Sequence, residues 1–191
     1  MKPLVRVFTP TLLIGSIMLK DEIIRYLNII NDKLQQKNVK GEICLYGGAV
    51  MCLVFDARPS TKDVDAIFHP AETIRRVAKE ISNEYELADD WLNDGVKGFL
   101  VDHPKKVFLK LSNLVVMVAD SEYMLAMKSL SARIDGTDSG DIEFLIKELN
   151  IQSVEDVFKI IDKYYPRRII KPATQFFLEE LFDEMQNDSR D

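Results

Sequence analysis

The sequence predicts an α+β fold, in which a small mixed sheet is flanked by helices and the C-terminal half is helical. An apolar run at residues 43–46 has the length and composition of a strand buried on both faces, and a second run at residues 64–68 has the length of another strand. After residue 121 apolar residues recur at helical spacing, and turn signals separate the segments. These patterns together place one small sheet in the first part of the chain and helices around and after it.

The first helix is predicted at residues 21–38, because an apolar stripe at helical spacing follows an acidic pair at its N-terminal end. Further helices are predicted at residues 49–55, 72–85, 121–134, 141–149, 154–165 and 173–185, and strands at 41–46, 64–68, 107–111 and 114–119. The last two strands form a predicted hairpin around residues 112–113. Ser121 and Ser153 are candidate N-caps, and residues 91–101 are predicted to be irregular.

Length and composition indicate one folded domain. The chain has 191 residues, of which 47% are hydrophobic and 29% charged, as is typical of globular proteins. We expect residues 18–120 to form an α/β core and residues 121–191 to form a helical region packed on that core. Residues 1–17 are interpreted as an N-terminal extension, with Met18 as an alternative natural start.

Charge, cysteine content and hydropathy exclude several classes of protein. The net charge of −6 argues against a general basic surface for nucleic acid. The best local candidate is residues 164–168 with Lys171, which form either a nucleic-acid contact or a solvated turn between two helices. Cys44 and Cys52 lie in apolar segments, so we expect buried thiols in a reducing cytoplasm rather than a disulfide or a zinc site. No apolar run approaches the roughly 20 residues that span a bilayer, which predicts a cytoplasmic protein with no membrane partner.

The stretch of residues 41–68 holds the strongest chemical signal. Asp63 and Asp65 are two positions apart on a predicted strand, so both side chains point to one face, about 6.6 Å apart along the strand. Such a pair either lies solvated at an exposed strand end or holds a hard cation such as Mg²⁺, which brings substrate phosphates with it. Gly47 and Gly48 offer backbone N–H groups to a phosphate, or they form a turn without a ligand.

This Gly-Gly and Asp-x-Asp pair resembles the nucleotidyltransferase (polymerase-beta-like) superfamily. Three later stretches strengthen the resemblance, namely residues 90–100 (DWLNDGVKGFL), 121–133 (SEYMLAMKSLSAR) and 138–145 (DSGDIEFL). With these stretches, the chain is similar to small stand-alone bacterial and archaeal members related to the AbiEii/MenT toxin group. The resemblance implies a nucleotidyltransferase-like sheet, with Gly47 and Gly48 at the nucleotide phosphates and Asp63 and Asp65 as catalytic ligands of Mg²⁺ or Mn²⁺.

The resemblance also assigns roles to four residues outside these two pairs. Thr61 and Lys62 match a Thr-(Lys/Arg)-Asp-x-Asp pattern and are expected to bind the nucleotide, unless they form an ordinary loop. Lys128 matches a catalytic lysine that faces the triphosphate, although a lone lysine on a helix surface usually extends into solvent. Arg133 matches a nucleotide-binding position, or it pairs with Asp141 to join two helices.

The chain departs from the superfamily pattern at one position. Many members carry a third carboxylate on a later strand, and the corresponding residues 114–119 contain no acid. Asp94 is the catalytic candidate in its place, with Asp102 and Asp120 as less convincing alternatives. A chain without the third acid would bind nucleotide poorly, or would be weak or inactive as an enzyme.

The resemblance implies an enzyme that moves a nucleoside monophosphate from an NTP to an acceptor hydroxyl and releases pyrophosphate. The acceptor would be RNA, such as the end of a tRNA, or a protein, and the protein would be a component of a toxin–antitoxin pair with a cognate antitoxin as its partner. The alternative is a catalytically weak or inactive module on the same fold that binds a nucleotide or a partner. A third hypothesis is a structural interaction protein that uses its helical C-terminal half.

Overall fold

The computed structural model describes residues 17–132 and 138–188. The predicted α+β fold is confirmed, because helices flank a five-stranded mixed sheet and the C-terminal half of the described chain is helical. The strands are β1 (Met18–Leu19), β2 (Gly41–Leu45), β3 (Ser60–Thr61), β4 (Val64–His69), β5 (Leu92–Asn93), β6 (Lys105–Lys110) and β7 (Leu114–Ala119). The α-helices are α1 (Lys20–Gln36), α2 (Gly47–Leu53), α3 (Ala71–Tyr85), α4 (Ser121–Ser131), α5 (Asp138–Glu148), α6 (Val154–Tyr164) and α7 (Pro172–Asp188).

The main sheet has the strand order β5-β4-β2-β7-β6. At its centre, β2 runs antiparallel to β4 and parallel to β7. The edge strands are β5, which is parallel to β4, and β6, which forms the predicted hairpin with β7. A separate two-stranded ladder pairs β1 with β3, so that Met18 faces Thr61. This ladder connects the chain before α1 to the loop that leads into β4.

The two faces of the sheet have different environments. One face carries Leu45, Ala66 and Val118, which neighbour each other across three strands and are at most 4% exposed. Helices α1 and α3 pack on the sheet and on each other, and their apolar residues join the same hydrophobic core. Because side chains alternate along a strand, Asp65 and Met117 belong to the opposite face. That face is also partly buried, since Cys44 on it is 4% exposed, but it carries the polar Asp65, whereas the first face is apolar across the three strands.

Two segments near the N-terminal end of β4 differ from the predictions. The prediction that residues 91–101 are irregular is wrong, because they contain β5 and a 3₁₀-helix at Gly95–Phe99. Strand β5 is only two residues long and is defined by its pairing with β4, so no local periodicity signals it. Helix α2 begins at Gly47, two residues earlier than predicted, and therefore includes both glycines.

The predicted N-caps have different outcomes. Ser121 is the first residue of α4, and the cap is Asp120, whose carboxylate accepts a hydrogen bond from the Tyr123 amide at 2.8 Å. An acidic side chain satisfies this free amide and also interacts favourably with the helix dipole. Ser153 is confirmed as the cap of α6, since its hydroxyl accepts from the Asp156 amide at 3.3 Å.

The helical second half shares the hydrophobic core of the first. In α4 seven consecutive residues, 123–129, are buried, so that helix is enclosed on all sides. Helix α5 begins at Asp138, three residues earlier than predicted, and residues 133–137 lie outside the described chain. Cys44 and Cys52 are buried free thiols, as predicted. Among the helices described, none combines the length and the apolar character needed to cross a membrane.

Candidate active site

A cavity of about 860 Å³ opens beside the N-terminal end of β4. Its walls come from α2, the loop before β4, the 3₁₀-helix, and the facing ends of α4 and α5. Seven of the residues that the sequence singled out line this cavity, namely Gly47, Gly48, Thr61, Lys62, Asp63, Asp65 and Lys128. We call it the carboxylate cavity. The fold thus brings to one place residues from distant parts of the sequence.

The two predicted metal ligands stand at the start of β4. Asp63 directly precedes the strand and Asp65 is its second residue, and both are partly buried. The carboxamide nitrogen of Asn93 on β5 lies 3.4 Å from Asp63 Oδ2. Burial raises the pKa of Asp65, and the nearby charge of Asp63 raises it further. The pair thus concentrates negative charge in a place where water only partly stabilises it.

Gly47 lies against one of these carboxylates. Its φ of +58° belongs to the left-handed region, which glycine adopts without strain. A β-carbon on Gly47 would lie 2.7 Å from Asp65 Oδ2, closer than real β-carbon contacts. Since α2 has only seven residues, the clearest contribution of this glycine is space next to Asp65 rather than a strong helix dipole.

Gly48 makes room for an arginine that was not predicted to belong to the site. A β-carbon on Gly48 would lie 1.5 Å from Arg58 Nη2, so the guanidinium passes directly over the glycine. Arg58 Nη2 donates to the Thr61 hydroxyl at 3.2 Å, and that hydroxyl donates to the Asp63 carbonyl at 3.1 Å. Thr61 therefore holds the loop that presents Asp63, while Lys62 is exposed at the rim of the carboxylate cavity.

Lys128 reaches the carboxylate cavity from a buried position. It is only 5% exposed, so the expectation of a lysine extending into solvent is wrong. Its ammonium nitrogen lies 2.9 Å from Asp138 Oδ1 and 2.7 Å from Asp141 Oδ2. Arg58 Nη1 lies 3.5 Å from the same Asp141 oxygen. Two cations and two aspartates from three segments therefore form one charged cluster, of which Arg58, Lys128 and Asp138 line the carboxylate cavity.

The remaining predicted site residues lie elsewhere. Asp94 is not among the described residues that line the carboxylate cavity, and its carboxylate pairs with Lys97 and Arg75. Hydrogen bonds first from Lys97 and then from Arg75 lower the pKa of Asp94. Asp120 caps α4, and Asp102 is exposed. Arg133 lies outside the described residues.

The third carboxylate of the superfamily pattern is missing from β7. The positions of β7 on the face of Asp65 are Val115, Met117 and Ala119, none of which can bind a cation through a carboxylate. Asp138 instead contributes a carboxylate to the carboxylate cavity from the start of α5, with a side chain 25% exposed. Asp138 belongs to one of the stretches that carry the resemblance, but no role was predicted for it.

The donor set is compatible with a magnesium ion that also binds a substrate. No group of three or more histidine, cysteine, aspartate or glutamate side chains that could hold a metal occurs in residues 17–132 and 138–188. Mg²⁺ commonly binds through only one or two protein carboxylates, with water and substrate phosphates completing its octahedron. Asp63 and Asp65, facing one cavity, fit that mode of binding.

Comparisons with protein-family models, with curated proteins and with solved structures found no match to this chain. The resemblance to nucleotidyltransferases therefore depends on the residues themselves and stays a prediction. What the structure adds is their arrangement, in which most of the singled-out residues border one cavity.

Proposed function

We propose that the protein is a Mg²⁺-dependent nucleotidyltransferase that moves a nucleoside monophosphate from an NTP to an acceptor hydroxyl. The observation that carries the proposal is the shared cavity of Gly47, Gly48, Asp63, Asp65 and Lys128. Its volume of about 860 Å³ is in the range of small-molecule sites, which typically measure 300–1,000 Å³. Mn²⁺ would bind the same oxygen ligands as Mg²⁺.

Asp63 and Asp65 would hold the metal, which when bound supplies positive charge to the nucleotide phosphates. The triphosphate would bind beside Gly47 and Gly48, where Asp65 Oδ2 and the Arg58 guanidinium take the places that β-carbons would need. Lys62 at the rim offers a flexible cation to the outer phosphates. Arg58 and Lys128 also line the cavity, and both offset the charge of Asp141.

In the reaction, the acceptor oxygen forms a bond to the α-phosphorus, and the bond from that phosphorus to the bridging oxygen breaks. Pyrophosphate leaves with the bonding electron pair, and the acceptor hydroxyl loses its proton. Asp138 is the carboxylate of the cavity that is not needed for the metal, so we assign it as the acceptor of this proton. This assignment supplies from α5 the carboxylate that β7 lacks.

A second candidate is a nucleotide-binding or partner-binding module with little or no catalysis. The absence of an acid at Val115, Met117 and Ala119 favours this alternative, because the usual position of the third carboxylate is apolar. In either case the resemblance suggests a toxin–antitoxin component in the cytoplasm, with a cognate antitoxin as a partner.

The deciding experiment incubates the protein with each α-labelled NTP, Mg²⁺ and either total RNA or total protein. We expect label transfer by the natural protein and its loss in the double variant Asp63→Ala, Asp65→Ala. The matched control is Asp89→Ala, Asp90→Ala, which removes two neighbouring aspartates that are exposed and lie outside the carboxylate cavity. Metal-dependent NTP binding without transfer would support the second candidate, and the absence of both binding and transfer would contradict both.

A further inference from the structure

A second concavity of about 450 Å³ borders the carboxylate cavity. It lies between residues 98–101, at the end of the 3₁₀-helix and just after it, and residues 164–168 at the end of α6. We call it the arginine groove. Phe99 lines both the arginine groove and the carboxylate cavity, so the two spaces meet at this side chain. A long ligand lying in the groove therefore has its end next to the cavity.

Phe99 presents an aromatic surface at this junction. Its side chain is 41% exposed, which is unusual for a large apolar residue. The guanidinium of Arg168 lies 5.1 Å from the Phe99 ring centroid and 5.7 Å from that of Tyr165. The Tyr165 hydroxyl donates to the Phe99 carbonyl at 2.9 Å, which fixes the backbone under the ring. The ring is thus held in place by a cation and by a backbone contact.

The arginine groove is positively charged in an otherwise acidic protein. Arg167 and Arg168 line it and are exposed, and no acidic side chain is among its described lining residues. Lys171 is also exposed, three positions further along the chain. The whole chain has a net charge of −6, so this local cationic surface runs against its overall charge. A concentrated positive potential of this kind favours a negatively charged ligand.

We infer that the arginine groove binds a single-stranded polynucleotide and directs its terminal hydroxyl into the carboxylate cavity. A base stacks on Phe99, while Arg167 and Arg168 contact the backbone phosphates. Aromatic stacking beside a cationic track is the way in which proteins bind single strands without reading their sequence. The acidic side chains of a peptide would satisfy the arginines but offer no planar ring to Phe99, whereas every nucleotide carries both a charge and a ring. The use of the strand as acceptor rests on the proposed function, whereas the binding itself does not.

Gly98 lines the arginine groove and can be replaced by a larger residue to test it. A β-carbon at this position meets no atom within 4 Å, so a larger side chain extends into open space without disturbing the fold. We would compare Gly98→Glu with its uncharged match Gly98→Gln. The probe is a fluorescent 12-nucleotide RNA, with a DNA of the same sequence in parallel, titrated by anisotropy without NTP. We expect Gly98→Glu to bind about tenfold more weakly than Gly98→Gln, because it places a negative charge against phosphate.

Two further variants separate stacking from charge. Phe99→Leu keeps an apolar side chain but removes the ring, and we expect affinity to fall by roughly five- to hundredfold, the range for one stacked base. The double variant Arg167→Gln, Arg168→Gln is expected to make binding of the strand less dependent on salt. The slope of the logarithm of the binding constant against the logarithm of the salt concentration should become shallower by about 0.7 for each phosphate that is no longer neutralised. Binding of RNA alone, or of RNA and DNA equally, supports the proposal and identifies the natural strand.

The proposal is overturned if the natural protein binds neither strand, or if Gly98→Glu and Phe99→Leu bind both strands like the natural protein. Binding of acidic peptides in place of polynucleotides would also overturn it. Melting temperatures close to that of the natural protein show that the variants are folded. Mg²⁺–ATP titration of the same variants reports on the carboxylate cavity separately. Strand binding by the natural protein that is not accompanied by label transfer would reject the proposed function and leave the groove in place. Strand binding should survive in Asp63→Ala, Asp65→Ala, because these residues lie outside the arginine groove.

Discussion

Lys128 and Asp141 form an ion pair that is almost fully enclosed, with Nζ and Oδ2 2.7 Å apart and side chains only 7% and 4% exposed. Buried charges are expensive to leave without a partner, whereas a complete pair is tolerated. The pair joins α4 to α5, and Asp138, beside it, faces the carboxylate cavity. The position of Asp138 therefore depends on a contact within the protein core.

We expect Lys128→Met to lower the free energy of unfolding by about 3 kcal/mol, because Asp141 stays buried after its nearest cation is removed. Arg58, 3.5 Å from Asp141, limits the loss. Urea denaturation measures the effect, and the double variant Lys128→Met, Asp141→Asn serves as the control. The double variant should recover at least about 1 kcal/mol of the loss, since no charge is then left unpaired at Asp141. If the double variant loses as much unfolding free energy as Lys128→Met and Asp141→Asn lose separately and in sum, the two residues are not coupled.

Gly47→Ala is expected to damage both the fold and nucleotide binding. The left-handed backbone costs an alanine about 1–2 kcal/mol, and the new methyl group pushes against Asp65 Oδ2. The matched control is Gly140→Ala, since a β-carbon there meets nothing within 4 Å and alanine is the better helix former. Urea titration should show a gain of roughly 0.5–1 kcal/mol for Gly140→Ala and a loss for Gly47→Ala. Equal Mg²⁺–ATP affinity in Gly47→Ala and the natural protein would contradict a phosphate site at the glycine.

Asp65→Asn is expected to remove activity while increasing stability. The pKa of Asp65 is raised in the folded protein, first by burial and then by Asp63, so its ionised form opposes folding at neutral pH. We expect a gain of roughly 0.5–2 kcal/mol in the free energy of unfolding at pH 7, in the absence of metal. The gain should shrink as the pH falls through the folded pKa, because Asp65 then becomes neutral in the natural protein too. Label transfer should fall by about 10²–10³-fold.

The control for this experiment is Asp89→Asn, because the pKa of Asp89 is lowered in the folded protein whereas that of Asp65 is raised. Hydrogen bonding and the charge of Lys79 lower the pKa of the exposed Asp89, so its ionised form favours folding. Removing that charge should reduce stability at neutral pH and leave label transfer unchanged. A destabilised Asp65→Asn variant would show that Asp65 has a structural role. It would also count against electrostatic repulsion between Asp63 and Asp65 in the folded protein.

His103 gives a prediction for the pH dependence of stability. Its Nδ1 lies 2.7 Å from the Val101 carbonyl and therefore carries the hydrogen, so its Nε2 accepts from the Tyr46 hydroxyl 3.2 Å away. Burial is the main cause that lowers the pKa of His103, and the nearby charge of Lys105 acts in the same direction. The contribution of neutral His103 to the free energy of unfolding should therefore be fully present above pH 6.5, the ordinary pKa. It should be lost as the pH falls below that value toward the lowered pKa of the folded protein.

His103→Phe tests this assignment, because a phenyl ring can keep the stacking on Tyr123, whose ring centroid is 3.8 Å away. Unfolding free energies measured between about pH 5 and 8 should decline more steeply on acidification for the natural protein than for the variant. Parallel curves would show that His103 does not carry the effect. In that case the acidic side chains near it, Asp102 and Asp120, would have to hold its pKa at the ordinary value.

The elements that have a strong period are predictable from the sequence, and those that depend on distant partners are not. Strands β2 and β4 are buried apolar runs, so their existence is visible locally. Strand β5 is defined by its pairing with β4. Arg58 belongs to the site because its guanidinium lies over Gly48 of α2. Neither fact leaves a local signal. Asp63 and Asp65 are accordingly recognisable in the sequence, whereas Arg58 is not.

Lys128 illustrates a signal that is present in the sequence but easily interpreted in the wrong way. A single lysine on an amphipathic helix usually lies at the surface, and this expectation fails for α4. Residues 123–129 are buried on every side of that helix, and apart from Lys128 and Ser129 they are Tyr, Met, Leu and Ala. A lysine in a helix without a polar face has to find its counter-charge inside the protein. Asp138 and Asp141 supply it from α5.

The pairing of Met18 with Thr61 has a practical consequence for handling the protein. Thr61 is hydrogen-bonded to the Asp63 backbone, and Met18 is 2% exposed, so a change of the chain at Met18 is passed through this ladder to the segment that carries the proposed metal ligands. An affinity tag fused directly to Met18 would therefore lie against the segment that carries Asp63 and Asp65 and could disturb the proposed metal site. Assays of metal or nucleotide affinity belong on protein whose purification tag sits at the opposite terminus.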